Sequence, residues 1–133
     1  MAKMLHCSVI TPEQQVFDAD ATEVILPAHD GLLGVLSSRA PLVCELGTGV
    51  LTVDTVDGVK KEFYVDGGFG QVLKDEVTIL TERAAPAENI SRAEAVKKLD
   101  AAHAMKITDE ASSEARSRAI AGAQAQIKIA KKS

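Results

Sequence analysis

Residue types that do chemistry are sparse in this 133-residue chain and stand far apart. The three histidines, His6, His29 and His103, lie on three different stretches, and none has a metal-ligating partner two or four positions on. Cys7 and Cys44 lack the spacing of a zinc or redox motif and read as two small buried hydrophobes. No spacing favours a Ser-His-Asp set, and no phosphate loop of the Gly-x4-Gly-Lys-Ser/Thr kind occurs. Gly67-Gly68-Phe69-Gly70 is glycine-rich, but it falls between two predicted strands. No helix N-terminus would face a phosphate there, so it reads as a turn or bulge. The acid pairs Asp18/Asp20 and Asp75/Glu76 fall in predicted turns, as solvated charge. What remains is the basic set Arg116, Arg118, Lys128, Lys131 and Lys132, which suits a helix C-terminus and could dock on an acidic protein surface. This inventory points to protein binding rather than catalysis.

The elements that must position these residues divide into two kinds. Up to Glu82 the apolar pattern has a period near two. Strands are predicted at 5–10, 16–17, 23–26, 33–36, 42–46, 50–56, 59–65, 69–73 and 77–81. Asp57-Gly58 between two alternating runs predicts a tight hairpin with both turn residues at positive φ. Lys74-Asp75-Glu76 predicts a second hairpin, and Asp66-Gly67-Gly68 joins the two. Short strands with turn signals every eight to twelve residues imply a β-sandwich or flattened barrel.

At Ala84-Ala85-Pro86-Ala87 the composition changes, which divides the chain into 1–86 and 87–133. Two helices are predicted beyond it, the first capped by Ser91 and the second by Thr108. The first would present Val96, Leu99, Ala102 and His103, and the second Ala111, Ala115, Ala119, Ala123 and Ala130 with Ile120 and Ile127. They would form an antiparallel two-helix hairpin. An Ala anchor contributes roughly 2 kcal/mol less than a Leu anchor, so the hairpin should dock weakly and be able to detach. Gly122 should weaken the second helix by about 1 kcal/mol.

Bulk composition agrees with a soluble globular protein: 46% apolar, 26% charged and only 3% aromatic, so the core must be aliphatic. No apolar run approaches a membrane span or a signal peptide, which places the chain on the cytoplasmic side. Residues 1–86 carry 13 acids and 6 bases, and residues 87–133 carry 6 acids and 9 bases, giving −7 and +3. A +3 tail without clustered bases and aromatics is no nucleic-acid surface.

The order of features resembles the epsilon subunit of bacterial F-type ATP synthases, which corresponds to the mitochondrial delta subunit. The markers are Val9-Ile10-Thr11-Pro12-Glu13 with Phe17, then Val24-Ile25-Leu26-Pro27-Ala28, Gly31-Leu32-Leu33-Gly34-Val35-Leu36 and Ala40-Pro41-Leu42. Gly49-Val50-Leu51, Gly67-Gly68-Phe69 and Val77-Thr78-Ile79-Leu80 complete them. The resemblance spans essentially the whole chain. It implies a sandwich of about ten strands followed by the helical hairpin. It also implies a non-catalytic rotor subunit in the central stalk, bound to the gamma subunit and the ring of c subunits. Contact with the membrane would be indirect, through the complex, at the cytoplasmic face of the bacterial plasma membrane. In some members the tail reaches the alpha/beta head and blocks ATP hydrolysis.

Carried onto this chain, the loop from Asp30 to Leu42 would face the partners, through Leu32, Leu33, Val35, Arg39, Pro41, Leu42 and Val43. Leu32 stands where many relatives have Glu, and Arg39 where many have His. Arg116, Arg118 and Lys128 would be the tail's contacts. Some members bind ATP through Ile or Leu, Asp, two residues, then Arg-Ala. Here that stretch is Glu88-Asn89-Ile90-Ser91-Arg92-Ala93, so Arg92 and Asn89 are the positions that could touch a nucleotide. The carboxylate is absent, and the expectation is a subunit without a cofactor. The alternative reading is a free-standing ligand-binding sandwich with a helical lid.

Overall fold

A computed structural model describes residues 4–130. Seven strands, β1 (Leu5–Ile10), β2 (Gln15–Ala28), β3 (Gly31–Leu36), β4 (Leu42–Thr55), β5 (Lys60–Leu73), β6 (Glu76–Leu80) and β7 (Ala84–Pro86), come first. A 3-10 turn (Ala87–Asn89), α1 (Arg92–His103) and α2 (Glu110–Ile129) follow.

Seven strands replace the expected nine or ten because three predicted breaks are bends. β4 continues through Gly47 and Gly49, β5 continues through Gly67-Gly68, and β2 runs on with a register shift between Ala21 and Glu23. Each of these 14-residue strands serves two layers. In the first layer the start of β2 pairs with β1, β1 runs parallel to β6, and β6 pairs with the end of β5, which pairs with the start of β4. In the second, β3 pairs with the end of β2, followed by the end of β4, the start of β5 and β7. Because β1 pairs with both β2 and β6, the ladder closes on itself and few edges stay free.

Gly68 shows why the β5 bend requires glycine. Its φ is +110°, and a Cβ there would sit 2.0 Å from the Leu80 carbonyl oxygen. The predicted hairpin chemistry is also redistributed. Asp57-Gly58 lies in a longer connection in which only Gly58 has positive φ, whereas Lys74 and Asp75 both do, at +49° and +62°.

The core between the layers is aliphatic, as expected: Leu5, Val9, Val24, Leu26, Leu51, Val53, Val65, Val72 and Ile79 are almost wholly buried. Phe17 and Phe63 pack edge to face with centroids 5.1 Å apart. Burial pushes the Cys7 thiol up to about 12, so it serves as a core hydrophobe.

Ser91 caps α1, accepting from the Glu94 N–H at 3.3 Å. The cap of α2 is Asp109 rather than Thr108, because Asp109 and Ser112 exchange reciprocal bonds. The buried face of α2 is Gly122, Ala123, Gln126 and Ile129, while Ala111 and Ala115 are exposed. The predicted alanine face is thus corrected: α2 packs on β4 and β5, its buried residues all lie in its C-terminal half, and Gly122 sits against Tyr64 and Thr48. In α1, Ala95 and Ala102 are buried and Leu99 half-buried, but Val96 and His103 are exposed. None of the helices among the described residues is long and apolar enough to cross a membrane.

Candidate partner-docking surface

Each layer of the sandwich has an outward face, and the two are treated differently. On the second layer α2 lies across the strands, and Tyr64, Val50 and Ala85 pack with Ile129 and Ala125 of the helix. Gln126 is buried there and bonded to the Tyr64 hydroxyl, with Lys98 Nζ donating to its Oε1 at 3.4 Å. Burial, with Asp66 nearby, raises the Tyr64 phenol above its ordinary value. The Arg83 guanidinium carbon lies 6.0 Å from the ring centroid.

Among the described residues, the first layer has no such cover. Strand alternation sends Val72, Val77 and Ile79 inward, so Phe69, Leu73 and Leu80 face out. Phe69 pairs across the ladder with Leu80, and Glu45 and Val43 flank it on β4. Phe69 is 56% exposed and Val43 67%, which makes an apolar strip across β4, β5 and β6. Phe69 and Leu73 are separated on this face by Gln71, and large apolar side chains gathered on one exposed face are costly to leave wet and mark a surface that another protein covers. Acids rim the strip: Glu45, Glu76, and on β2 Asp18 and Asp20. Between those last two lies His6, whose Nδ1 is 2.9 Å from Asp20 Oδ1 and whose Nε2 pairs with Asp18. The Asp20 hydrogen bond raises the imidazole above its ordinary value; burial opposes it, and the charges of Asp18 and Asp20 add to the rise.

The residues expected to face partners are spread over three settings. Leu32, 75% exposed, and the exposed Arg39, Pro41 and Val43 are available. Leu33 and Leu42 are half-buried against the core, and Val35 is wholly inside it, so Val35 cannot reach a partner. The reason is alternation along β3: Leu33 and Val35 share its inward side, and Leu32 and Leu36 its outward side. Phe69, Leu73, Leu80 and Leu36 were missed. Their signal was readable, since each is a large apolar residue beside an inward position, at a place that alternation turns outward.

On the tail, Arg116 Nη2 donates to the His103 carbonyl at 3.3 Å and ties the two helices together. Arg118 is exposed beside a cleft of about 440 Å³ between the hairpin and β5, lined also by Tyr64, Asp66, Arg83, Lys98 and Gln126. Lys128 lies across a shallow groove from Leu32 and Pro27. Lys131 and Lys132 lie outside the described residues.

A family model described as the ATP synthase delta/epsilon chain beta-sandwich domain matches residues 4–87. The ATP synthase epsilon chain of Rhodopirellula baltica is 39% identical over 127 residues, covering 96% of this chain and 98% of that one. The corresponding chain of a Synechococcus species is 45% identical over 98 residues, covering 74% and 71%. The chain belongs to the ATP synthase delta/epsilon chain family. Its fold is shared with a chain of the Euglena gracilis mitochondrial ATP synthase, with a TM-score of 0.81 at 24% identity over 91% of this chain and 78% of that one. A Tetrahymena thermophila central-stalk/c-ring structure contains another, with a TM-score of 0.69 at 14% identity over 98% and 100%.

Against this epsilon-family background, the two nucleotide positions line no common cleft. Asn89, in the 3-10 turn, lines a cleft of about 120 Å³ with Arg83, Lys98 and Gln126. Arg92, in the first turn of α1, is exposed and lines neither that cleft nor the larger one. Gly67 and Gly68 act in the strand bend.

Proposed function

We propose that the protein is the non-catalytic epsilon-type subunit of an F-type ATP synthase, a central-stalk element that couples proton translocation to ATP synthesis. The observation that carries this reading is the asymmetry of the sandwich: one outward face is sealed by the protein's own helix, and the other offers Val43, Phe69, Leu73 and Leu80 uncovered. The gamma subunit covers that strip, and the c-subunit ring meets the β2–β3 turn at Leu32. In this arrangement the protein sits at the cytoplasmic face of the bacterial plasma membrane, held there by the complex.

Residues 1–86 form the unit that binds the stalk, and residues 87–133 form a releasable arm that bears on the alpha/beta head and regulates ATP hydrolysis. The weak grip of an alanine-rich helix supports release: among larger apolar side chains of α2 only Ile129 is buried. The subunit works without a bound cofactor, since the Asp of the nucleotide signature is Asn89 here and its apolar residue is Glu88.

The test is capture of tagged full-length chain from detergent-solubilised membranes of its own source. Recovery of gamma and c subunits is expected, and its absence would overturn the stalk assignment. Removing residues 88–133 is expected to raise ATP hydrolysis by the assembled enzyme. Unchanged hydrolysis would leave the arm without a regulatory role.

A further inference from the structure

The only non-glycine residues at positive φ among those described are Ser38, Lys74 and Asp75, at +70°, +49° and +62°. They converge on one place, where the β3–β4 loop meets the β5–β6 turn. Asp75 Oδ1 accepts the Ser38 backbone N–H at 2.7 Å, and Asp75 Oδ2 accepts the Ser37 hydroxyl at 3.3 Å. The Asp75 backbone carbonyl accepts the His6 N–H at 2.8 Å. One residue therefore ties its own turn to two pieces of chain, at His6 and Ser38, that are 69 and 37 positions away in sequence. Left-handed backbone is disfavoured for residues with a Cβ and persists where surrounding bonds over-determine it.

We propose that Asp75 is a positioning residue for the docking surface, its carboxylate stapling the β3–β4 loop so that Arg39, Pro41 and Val43 meet the partner in one fixed arrangement. This rests on the docking reading above. The staple stands at the end of the apolar strip: exposed Leu36 immediately precedes Ser37, and exposed Leu73 immediately precedes Lys74. From Ser38 the loop passes through Arg39 and Pro41 into β4, where Val43 faces out. Held at Ser37 and Ser38, the loop has three residues left before β4 begins at Leu42, so its path is largely set by the staple. A loop ordered in advance gives up less conformational freedom when it binds.

The experiment measures binding of the full-length chain to its isolated gamma subunit by calorimetry, alongside thermal melts. Asp75→Gly removes the carboxylate and also relieves the positive φ, so it should melt close to the parent. Its affinity should fall about tenfold. Asp75→Asn keeps an acceptor for the Ser38 N–H and tolerates left-handed backbone, so its affinity should stay within about twofold. Arg39→Ala should weaken the parent and add less in the Asp75→Gly background, because the loop is no longer held. Parental affinity in Asp75→Gly, additive losses with Arg39→Ala, or an Asp75→Asn as weak as Asp75→Gly would each overturn the staple. Val43→Asp separates the two levels. If it binds gamma like the parent, the docking reading falls and the staple with it. If it abolishes binding while Asp75→Gly does not weaken it, only the staple falls.

Discussion

Replacing Gly122 with Ala sets two effects of one methyl group against each other. In an isolated helix the change is favourable by about 1 kcal/mol. That gain is present whether or not α2 is seated on the sandwich, so it cancels from the docking equilibrium. The new Cβ would meet the Tyr64 hydroxyl at 2.7 Å and Thr48 Cγ2 at 3.3 Å, and only the seated helix feels this. Tyr64 is buried and bonded to Gln126, so it cannot swing aside freely. Overpacking of this kind costs about 1–3 kcal/mol, which lowers the seated-to-released ratio roughly 5- to 150-fold. Seating has little reserve, since burying Ile129 is worth about 2–3 kcal/mol and Ala123 about 0.8 kcal/mol. The chain has one tyrosine and no tryptophan, so the tyrosine band of the near-ultraviolet dichroism and the phenol absorbance report on Tyr64. The Tyr64 phenol is raised when seated, so its contribution to seating is fully present below the ordinary value of 10.0 and is lost as pH rises through the raised one. Gly122→Ala should move the phenol back toward its ordinary value and speed amide exchange in residues 92–129, with helix content retained. An unchanged phenol titration together with a higher melting temperature would refute the seating geometry.

Three further expectations concern the sandwich. Gly68→Ala places a Cβ against the Leu80 carbonyl at a φ of +110°, and should cost at least about 3 kcal/mol in denaturant unfolding; a loss below 1 kcal/mol would mean the β5 bend is not as described. Leu42→Asp puts a charge beside the core and should lower the melting temperature sharply, whereas Val43→Asp should change stability by about 0.5 kcal/mol or less and act on gamma binding; similar melts for the two would contradict the alternation along β4. His6 has a raised value, so its small contribution to stability is present below 6.5 and lost as pH rises through that raised value; proton resonance titration should show the raised midpoint, and His6→Gln should flatten the stability profile in that window.

Alternation carried most of the β domain into view from sequence. Where Val, Ile and Leu recur at every second position, as in β1 and β6, the predicted and observed strands nearly coincide. The breaks at Gly47-Thr48-Gly49 and Asp66-Gly67-Gly68 did not, because glycine signals a departure from flat strand without saying whether the chain turns back or bends across. The same ambiguity hid β7, whose Ala84-Ala85-Pro86 has no strand propensity and is held by pairing with Phe63, Tyr64 and Val65. On the tail, a helix in which alanines appear on every side offers no single periodic face. The seat was decided by Gly122, where the lack of a side chain permits the closest approach to β4 and β5. Val35 was misplaced for a simpler reason: loop membership was carried over from the family resemblance when alternation within β3 already turned it inward.

The two outward faces explain why a glycine and an alanine-rich helix belong on one side and bulky apolar side chains on the other. A partner that must stay bound through each rotation needs large buried anchors, and Phe69, Leu80 and Val43 provide them on the first layer. The releasable arm proposed above needs a contact whose energy is small beside that of the alternative contacts it makes elsewhere. Close approach at Gly122 gives α2 a specific seat, while Ala123 and the half-buried Ala125 keep that seat shallow. Gln126 and Tyr64 then fix its register through polar atoms that water can satisfy equally well once the helix lifts. Filling that seat with larger side chains, for instance Ala123→Leu or Ala125→Leu, would therefore fail in opposite ways. At buried Ala123 the extra bulk should expel the helix. At half-buried Ala125 it should hold the helix down, making the arm harder to release and ATP hydrolysis insensitive to it.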